Sequence, residues 1–248
     1  MARIFCAVLG IIFDFLLKPS VYKAESEDAL LQEYFSGTNR GVFCDIGANQ
    51  PESAVSYSFL KKGWSGIAVD PIPANANLLI EAGFDVYCGA VTSSKYAEKG
   101  LTTFFLAGGD AGRKSSLESE KIDPHLEQIE IEVPLITLYD LLSNHNIKKL
   151  DLLAIDVEGH EVDVLDTLPS DFSVGLILIE DWARDLKIDH TLTSKGYKRV
   201  RRTGYNSWYV KKAVNFNVSL WGRLHLLAKL KWFNPIRKRR FERKKEKS

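Results

Sequence analysis

The sequence predicts an α/β protein whose mostly parallel sheet is covered by helices on both faces. Three observations carry that prediction. Apolar runs of strand length alternate with helical patterns from about residue 41 to residue 181, which implies parallel strands joined by crossover helices. By contrast, "YKRVRRTGYNSWYV" (Tyr197 to Val210) holds two β-rich runs around "TGYN" with no room for a helix, so it reads as a closing antiparallel hairpin. Finally, 248 residues with 45% hydrophobic and 26% charged side chains suit one domain of ordinary size with short additions at its ends.

The elements follow in order. After a helix at Glu27 to Phe35, "GVFCDIG" (Gly41 to Gly47) is a short apolar run closed by turn residues, as expected of a strand entering a core. A helix around Ser53 to Lys62, a strand at "GIAVDP" (Gly66 to Pro71), a helix around Ala74 to Ala82 and a strand at "FDVYCGAV" (Phe84 to Val91) continue the beat. Thr92 to Tyr139 is less regular. It carries "GGDAGRKSSL" and then "IEIEVPLITL", expected as a loop over the sheet edge and an extra strand; "KSSL" (Lys114 to Leu117) reads either as part of a lid over substrate or as a solvated loop. Alternation resumes with "LDLLAIDVEG" (Leu150 to Gly159), a helix over Glu161 to Leu168 and "VGLILIED" (Val174 to Asp181).

The two ends differ from the body. "IFCAVLGIIFDFLL" (Ile4 to Leu17) falls short of the roughly 20 apolar residues that span a bilayer, and Asp14 with the missing cleavage site argues against a signal peptide. It reads as an amphipathic helix that packs on protein or lies on a membrane surface. From Trp221 to Ser248 there are 11 Lys/Arg against 2 Asp/Glu, while the remainder has 22 against 30, so a strongly basic tail follows an acidic body. In "LWGRLHLLAKLKWF" (Leu220 to Phe233), leucines near helical spacing between Trp221 and Trp232 suggest a helix for an anionic membrane surface. Cys6, Cys44 and Cys88 share no metal-like spacing, which favours a reducing compartment. The expected organisation is an N-terminal helical segment (1–36), an α/β body (37–213) and a basic amphipathic tail (214–248).

Ligands of open parallel sheets bind outside the carboxyl ends of the strands. The candidate strands end at Asp45, Asp70, Gly89, Asp156 and Glu180, four of them acids. Any one acid could be a helix N-cap. Yet Asp70 follows Asp45 by about one strand-helix-strand unit, where a carboxylate accepts the hydroxyls of an adenosine ribose. The loop "DIGANQPES" has one glycine and no P-loop lysine, unlike a pyrophosphate-binding loop. A cofactor with a ribose and no phosphate fits better, and S-adenosylmethionine is such a cofactor. Gly47 would let the backbone approach its methionine part, with Asp45 and Asn49 binding the ammonium and carboxylate directly or through water.

"FCDIGANQP", "KKGWSGIAVDPIP", "KSSL", "LDLLAIDVEGHEVDVL" and "LILIED" occur in an order and spacing that resembles the FkbM-type methyltransferases, over roughly Gly41 to Val210. "IDVEGHE" is the most specific piece. The resemblance implies a class I methyltransferase fold, Rossmann-like, with seven strands and the last hairpin reversed. It implies S-adenosylmethionine as cofactor and, mostly, hydroxyls of sugars or polyketides as acceptors. By position it puts Asp45, Gly47 and Asn49 on the cofactor loop, Asp70 on the ribose and Ala90 beside the adenine. Pro51 stands two residues after Asn49, where the commonest form of the family has a glycine.

Methyl transfer from a sulfonium needs a positioned nucleophile and exclusion of water, and a hydroxyl acceptor also benefits from a base. In "AIDVEGHE", Asp156 ends the fourth strand and Glu158, His160 and Glu161 follow at a helix start; Glu180 closes the neighbouring strand. Asp156 and Glu180 are the expected acceptor-side pair, sharing a substrate hydroxyl or holding a divalent cation. His160 reads as a rim residue, a general base or a metal ligand, and Glu158 and Glu161 as complements of the helix N-terminus or as helpers in catalysis. The Tyr-x-x-x-Lys spacing in "YSFLK" (Tyr57 to Lys61) lies too early for a dehydrogenase and reads as coincidence. Three functions follow. One is an O-methyltransferase of a glycan or lipid-linked sugar in the cytoplasm, peripheral on the inner membrane face. Another is an RNA methyltransferase using the tail, which lacks the aromatic-basic platform of RNA binders; the third is a non-catalytic binding module.

Overall fold

The computed structural model describes residues 26–107, 117, 128–181, 186–203 and 205–216. The expected helix at Ile4 to Leu17, the basic tail from residue 217 and all of "KSSL" except Leu117 lie outside the described residues. Residues 26–38 belong to a unit of their own. Its described part is α1 (Glu27–Tyr34), which starts where Ser26 Oγ accepts a hydrogen bond from Ala29 N at 3.1 Å.

The second unit begins at Asn39. In chain order it holds β1 (Val42–Ile46), α2 (Tyr57–Leu60), β2 (Ser65–Asp70), α3 (Pro73–Glu81), β3 (Asp85–Cys88), β4 (Ala90–Thr92), α4 (Ser94–Ala97), β5 (Leu101–Ala107) and β6 (Gln128–Thr137). Then come α5 (Leu138–Asn144), β7 (Lys149–Ile155), α6 (Glu161–Asp166), β8 (Ser173–Glu180), α7 (Lys187–Ser194), β9 (Tyr197–Thr203) and β10 (Asn206–Lys211). Seven strands form one sheet in the order β3-β2-β1-β7-β8-β10-β9. The first five run parallel, and β10 is antiparallel to both β8 and β9. This is the class I methyltransferase arrangement. Chain order runs outward in one direction through β2 and β3, and in the other through β7 and β8, so the carboxyl ends of β1 and β7 flank the switch point where such sheets bind ligands.

Burial on both faces explains the continuous apolar runs of the central strands. Cys44 and Ile46 of β1 join Ile155, Ile177, Leu141 and Val164 in one cluster. Phe43, one residue out of phase, faces the other way and meets Phe84 edge to face at 5.9 Å, while Phe59 packs on Trp64 at 4.7 Å. The Tyr57 and Lys61 of "YSFLK" pair with each other, the ammonium 3.9 Å from the ring centroid.

Besides α4, α5 and α7, helices the sequence reading does not expect, three departures concern the strands and the first crossover. The run "FDVYCGAV" is two strands in two sheets: β3 edges the large sheet, and β4 joins β6 and β5 in a three-stranded sheet. The break falls at Gly89, where a Cβ would lie 2.7 Å from the Pro134 carbonyl oxygen. The first crossover helix is shorter than its expected span because successive turns occupy Pro51 to Ser56 before it starts. Finally β5, inside the stretch read as irregular, pairs along its full length with β6, from Leu101 opposite Pro134 to Ala107 opposite Gln128.

Candidate functional site

A cavity of about 350 Å³ opens at the carboxyl ends of β1, β2 and β7, lined from Gly47 to Asn49, by Asp70, Ile72, Asn75 and Ala90, and by Asp156, Glu158 and His160. Its size suits a small-molecule ligand. Phe104 and Leu117 close it on the side of the three-stranded sheet.

At one end stands Asp70, the last residue of β2 and nearly buried. Its Oδ1 accepts from Ile72 N at 3.0 Å and Asn75 Nδ2 at 3.1 Å; its Oδ2 accepts from Asn49 N at 2.9 Å. Burial outweighs these bonds and pushes its carboxyl up to about 6. Two oxygens with about four acceptor positions retain capacity for further donors. Asn49 itself sits at φ 59° and its Oδ1 is buried without a hydrogen-bond partner, an acceptor that a ligand's donor would satisfy.

In the middle, Gly47 adopts φ 81°, and a Cβ there would collide with the Asp156 carbonyl oxygen. The loop after β1 is thus pressed against the loop after β7, and Asp156 N donates to Ile46 O at 2.9 Å. This contact puts the glycine backbone and the Asp156 region on one wall of the cavity.

At the other end one carboxylate oxygen from each of Asp156, Glu158 and Glu180 lies within 4.8 Å of the other two. Glu158 holds φ 52°, a strained setting for a non-glycine residue. His160 is buried at the start of α6 with Nδ1 3.3 Å from Asp163 Oδ2. In the tautomer that donates Nδ1–H to Asp163, Nε2 is the acceptor nitrogen of the ring. Glu161 is taken up locally, its Oε1 accepting from Gly159 N at 2.9 Å.

Of the residues expected at the cofactor, Gly47, Asn49, Asp70 and Ala90 line this cavity. Asp45 stands behind it. Its Oδ2 accepts from Ser56 N at 2.9 Å and Ser56 Oγ at 2.6 Å, and it borders a separate space of about 40 Å³ with Ser53, Asp156 and Asn206. Asp156, Glu158 and His160 line the main cavity, and Glu180 reaches the same carboxylate group from β8. Asn75, Phe104 and Asp163 were not anticipated. Asn75 was visible as a polar residue on the first turn after "DPIP", and Asp163 as the third residue after His160. Phe104 had no such signal, because it acts through a sheet that was not expected.

Comparison with known proteins adds to this geometry. A family model described as the methyltransferase FkbM domain matches residues 45–199. No curated protein matches the chain. Among solved structures, a ribosomal protein L11 methylase from Lactobacillus delbrueckii subsp. bulgaricus is similar at 14% identity and TM-score 0.41, covering 75% of this chain and 77% of that one. A precorrin-6y C5,15-methyltransferase from Geobacter metallireducens GS-15 is similar at 12% identity and TM-score 0.36, covering 74% and 85%. A 1,6-didemethyltoxoflavin-N1-methyltransferase from Burkholderia thailandensis, with bound S-adenosylhomocysteine, is similar at 14% identity and TM-score 0.35, covering 84% and 88%.

Proposed function

Because the chain belongs to the FkbM methyltransferase family and is therefore an S-adenosylmethionine-dependent methyltransferase, we propose that its acceptor is a hydroxyl, borne by a saccharide of a glycan or lipid-linked carrier. The observation that carries this reading is the group of three carboxylates from Asp156, Glu158 and Glu180 at the cavity end opposite Asp70. A hydroxyl must lose its proton as it attacks, and carboxylates placed there are the groups that accept it.

The residues present fit the cofactor. The unpartnered Asn49 Oδ1, the cradle that a Cβ on Gly47 would fill and the buried Asp70 carboxylate are three features that suit a ligand with ribose hydroxyls and an amino-acid end. Bound S-adenosylmethionine supplies a methyl group on a positively charged sulfur. Asp70 would accept the ribose hydroxyls, Asn49 a further donor, and Ala90 would face the adenine. Asp156 and Glu180 would hold the acceptor hydroxyl in line and take its proton, while the sulfur keeps the electron pair of the broken carbon–sulfur bond. His160, oriented by Asp163, offers a second proton acceptor beside them. Asp45, capped onto Ser56, would act by holding the loop rather than by touching the cofactor.

The same three carboxylates are hard oxygen donors of the kind a divalent cation prefers, and if one is used it would sit there to acidify the hydroxyl. Unchanged turnover after exhaustive chelation would exclude that version. Among the described residues no helix is long and apolar enough to cross a membrane; we place the body (37–213) at the inner membrane face through the basic tail (214–248). Incubation with methyl-labelled S-adenosylmethionine and glycan from cells lacking the protein tests the acceptor. The expected product is a methyl ether on a sugar; label appearing in RNA instead, with salt-sensitive binding, would favour the nucleic-acid reading.

A further inference from the structure

The end of β8 is held by a cluster of four charges, three of them buried and Asp189 partly exposed, that the chemistry above does not use. Asp181 follows Glu180 and is almost fully buried. Its Oδ2 lies 3.1 Å from Arg199 Nη2 and 3.2 Å from Arg202 Nη1, and it accepts from Ser207 Oγ at 3.1 Å. Its carbonyl accepts from Arg202 Nη2, and its N–H donates to Tyr205 O at 2.8 Å. Arg199 continues to Asp189 of α7 at 3.3 Å and to Tyr209 Oη at 2.8 Å. Two arginines thus meet two aspartates.

A change of register creates the cluster. Trp208 pairs with Arg201 and Tyr209 with Arg199, so Val200 is an extra residue in β9. In an unbroken strand Arg199 and Arg202, three apart, would face opposite sides. The bulge turns both to the side of Ser207 and Tyr209, and leaves Arg201 over the Trp208 ring at 5.4 Å.

Buried ion pairs of this kind are weak stabilisers, because desolvation of the charges offsets their attraction. They do fix geometry. Successive side chains of a strand point to opposite faces, so pinning the Asp181 side chain, its N–H and its carbonyl sets the direction of Glu180, which pairs with Asn206 on β10. We propose that Arg199, Arg202 and Asp181 are positioning residues that hold the Glu180 carboxylate against Asp156 and Glu158 on the acceptor side. The proposal rests on the acceptor-side role of Glu180 given above, and it adds that the closing hairpin is part of the active site's support.

Arg202→Met and Arg202→Lys in the full-length protein test it, with three readouts. Titration of S-adenosylhomocysteine should give affinity within about threefold of wild type for both, since Asp70 and Gly47 are untouched. Methyl transfer to undermethylated glycan should fall on the order of 100-fold in kcat for Arg202→Met, the scale of a misplacement of about 1 Å. Arg202→Lys should recover part of that loss, and the KM for S-adenosylmethionine should stay unchanged. A crystal structure of Arg202→Met with S-adenosylhomocysteine should show Glu180 moved out of the carboxylate group. Glu180 in its original place with wild-type kcat would overturn the proposal, as would parallel loss of cofactor affinity and thermal stability in both variants. If the wild-type protein transfers no methyl to glycan, the acceptor reading fails, and the position of Glu180 in the two crystal structures alone decides this one.

Discussion

At the scale of single residues, Asp70 makes the sharpest predictions. Its carboxyl is raised from 3.8 to about 6 by burial, so the folded protein binds this proton more tightly than the unfolded chain. The contribution to stability is therefore fully present below pH 3.8 and is lost as pH rises through about 6. Ligand binding has the opposite sign. Hydroxyl donors favour the ionised carboxylate, so S-adenosylhomocysteine should bind tightest above pH 6 and lose up to about tenfold in affinity per pH unit below it. Asp70→Asn should flatten that profile between pH 5 and 7; a slope as steep as wild type would assign the proton elsewhere. Asp70→Ala should weaken binding by about 1–3 kcal/mol in calorimetry. Asp156→Asn is expected to leave cofactor affinity within a few-fold and cut turnover by about 100-fold or more. Equal loss of both would move Asp156 to the cofactor side.

At the scale of elements, the three-stranded sheet is the part that a reading of the sequence missed, and it forms one wall of the site. Phe104 of β5 packs with Ala90 and Val133 and lines the cavity. Phe104→Ala should cost about 3–5 kcal/mol in chemical denaturation, the range for a buried aromatic, and should also weaken S-adenosylhomocysteine binding. Loss of stability with unchanged binding would make the sheet a structural addition only. The parallel core was legible because buried strands leave continuous apolar runs and their exits leave acids: Asp45, Asp70 and Glu180 all sit at or beside the ends of observed strands. The sheet was not, because β5 and β6 are half exposed and twenty residues separate them, so neither period nor turn announces the pairing. Within the site, Asp45 and Asp70 look alike in the sequence as acids at strand ends. Only the fold shows that Ser56 occupies one while the other faces the cavity.

At the scale of the whole molecule, the sequence divides its charge unevenly between an acidic body and a basic tail. The last 28 residues carry 11 Lys/Arg against 2 Asp/Glu, and their leucines and tryptophans fall at a sequence spacing that an interfacial helix needs and a screened charge run does not. The full-length protein should cosediment with anionic but not neutral vesicles at moderate salt. Removing residues 220–248 should abolish this while S-adenosylhomocysteine still binds; equal partitioning of both forms would transfer the membrane contact to Ile4–Leu17. The account as a whole rests on a cofactor held at Asp70 and a saccharide hydroxyl delivered to Asp156 and Glu180. Mass spectrometry of surface glycans from cells with the protein, without it, and with its Asp156→Asn form tests that most directly. One sugar methyl ether should vanish without the protein, return with wild type and stay absent with Asp156→Asn. Identical glycan methylation in all three would contradict the account.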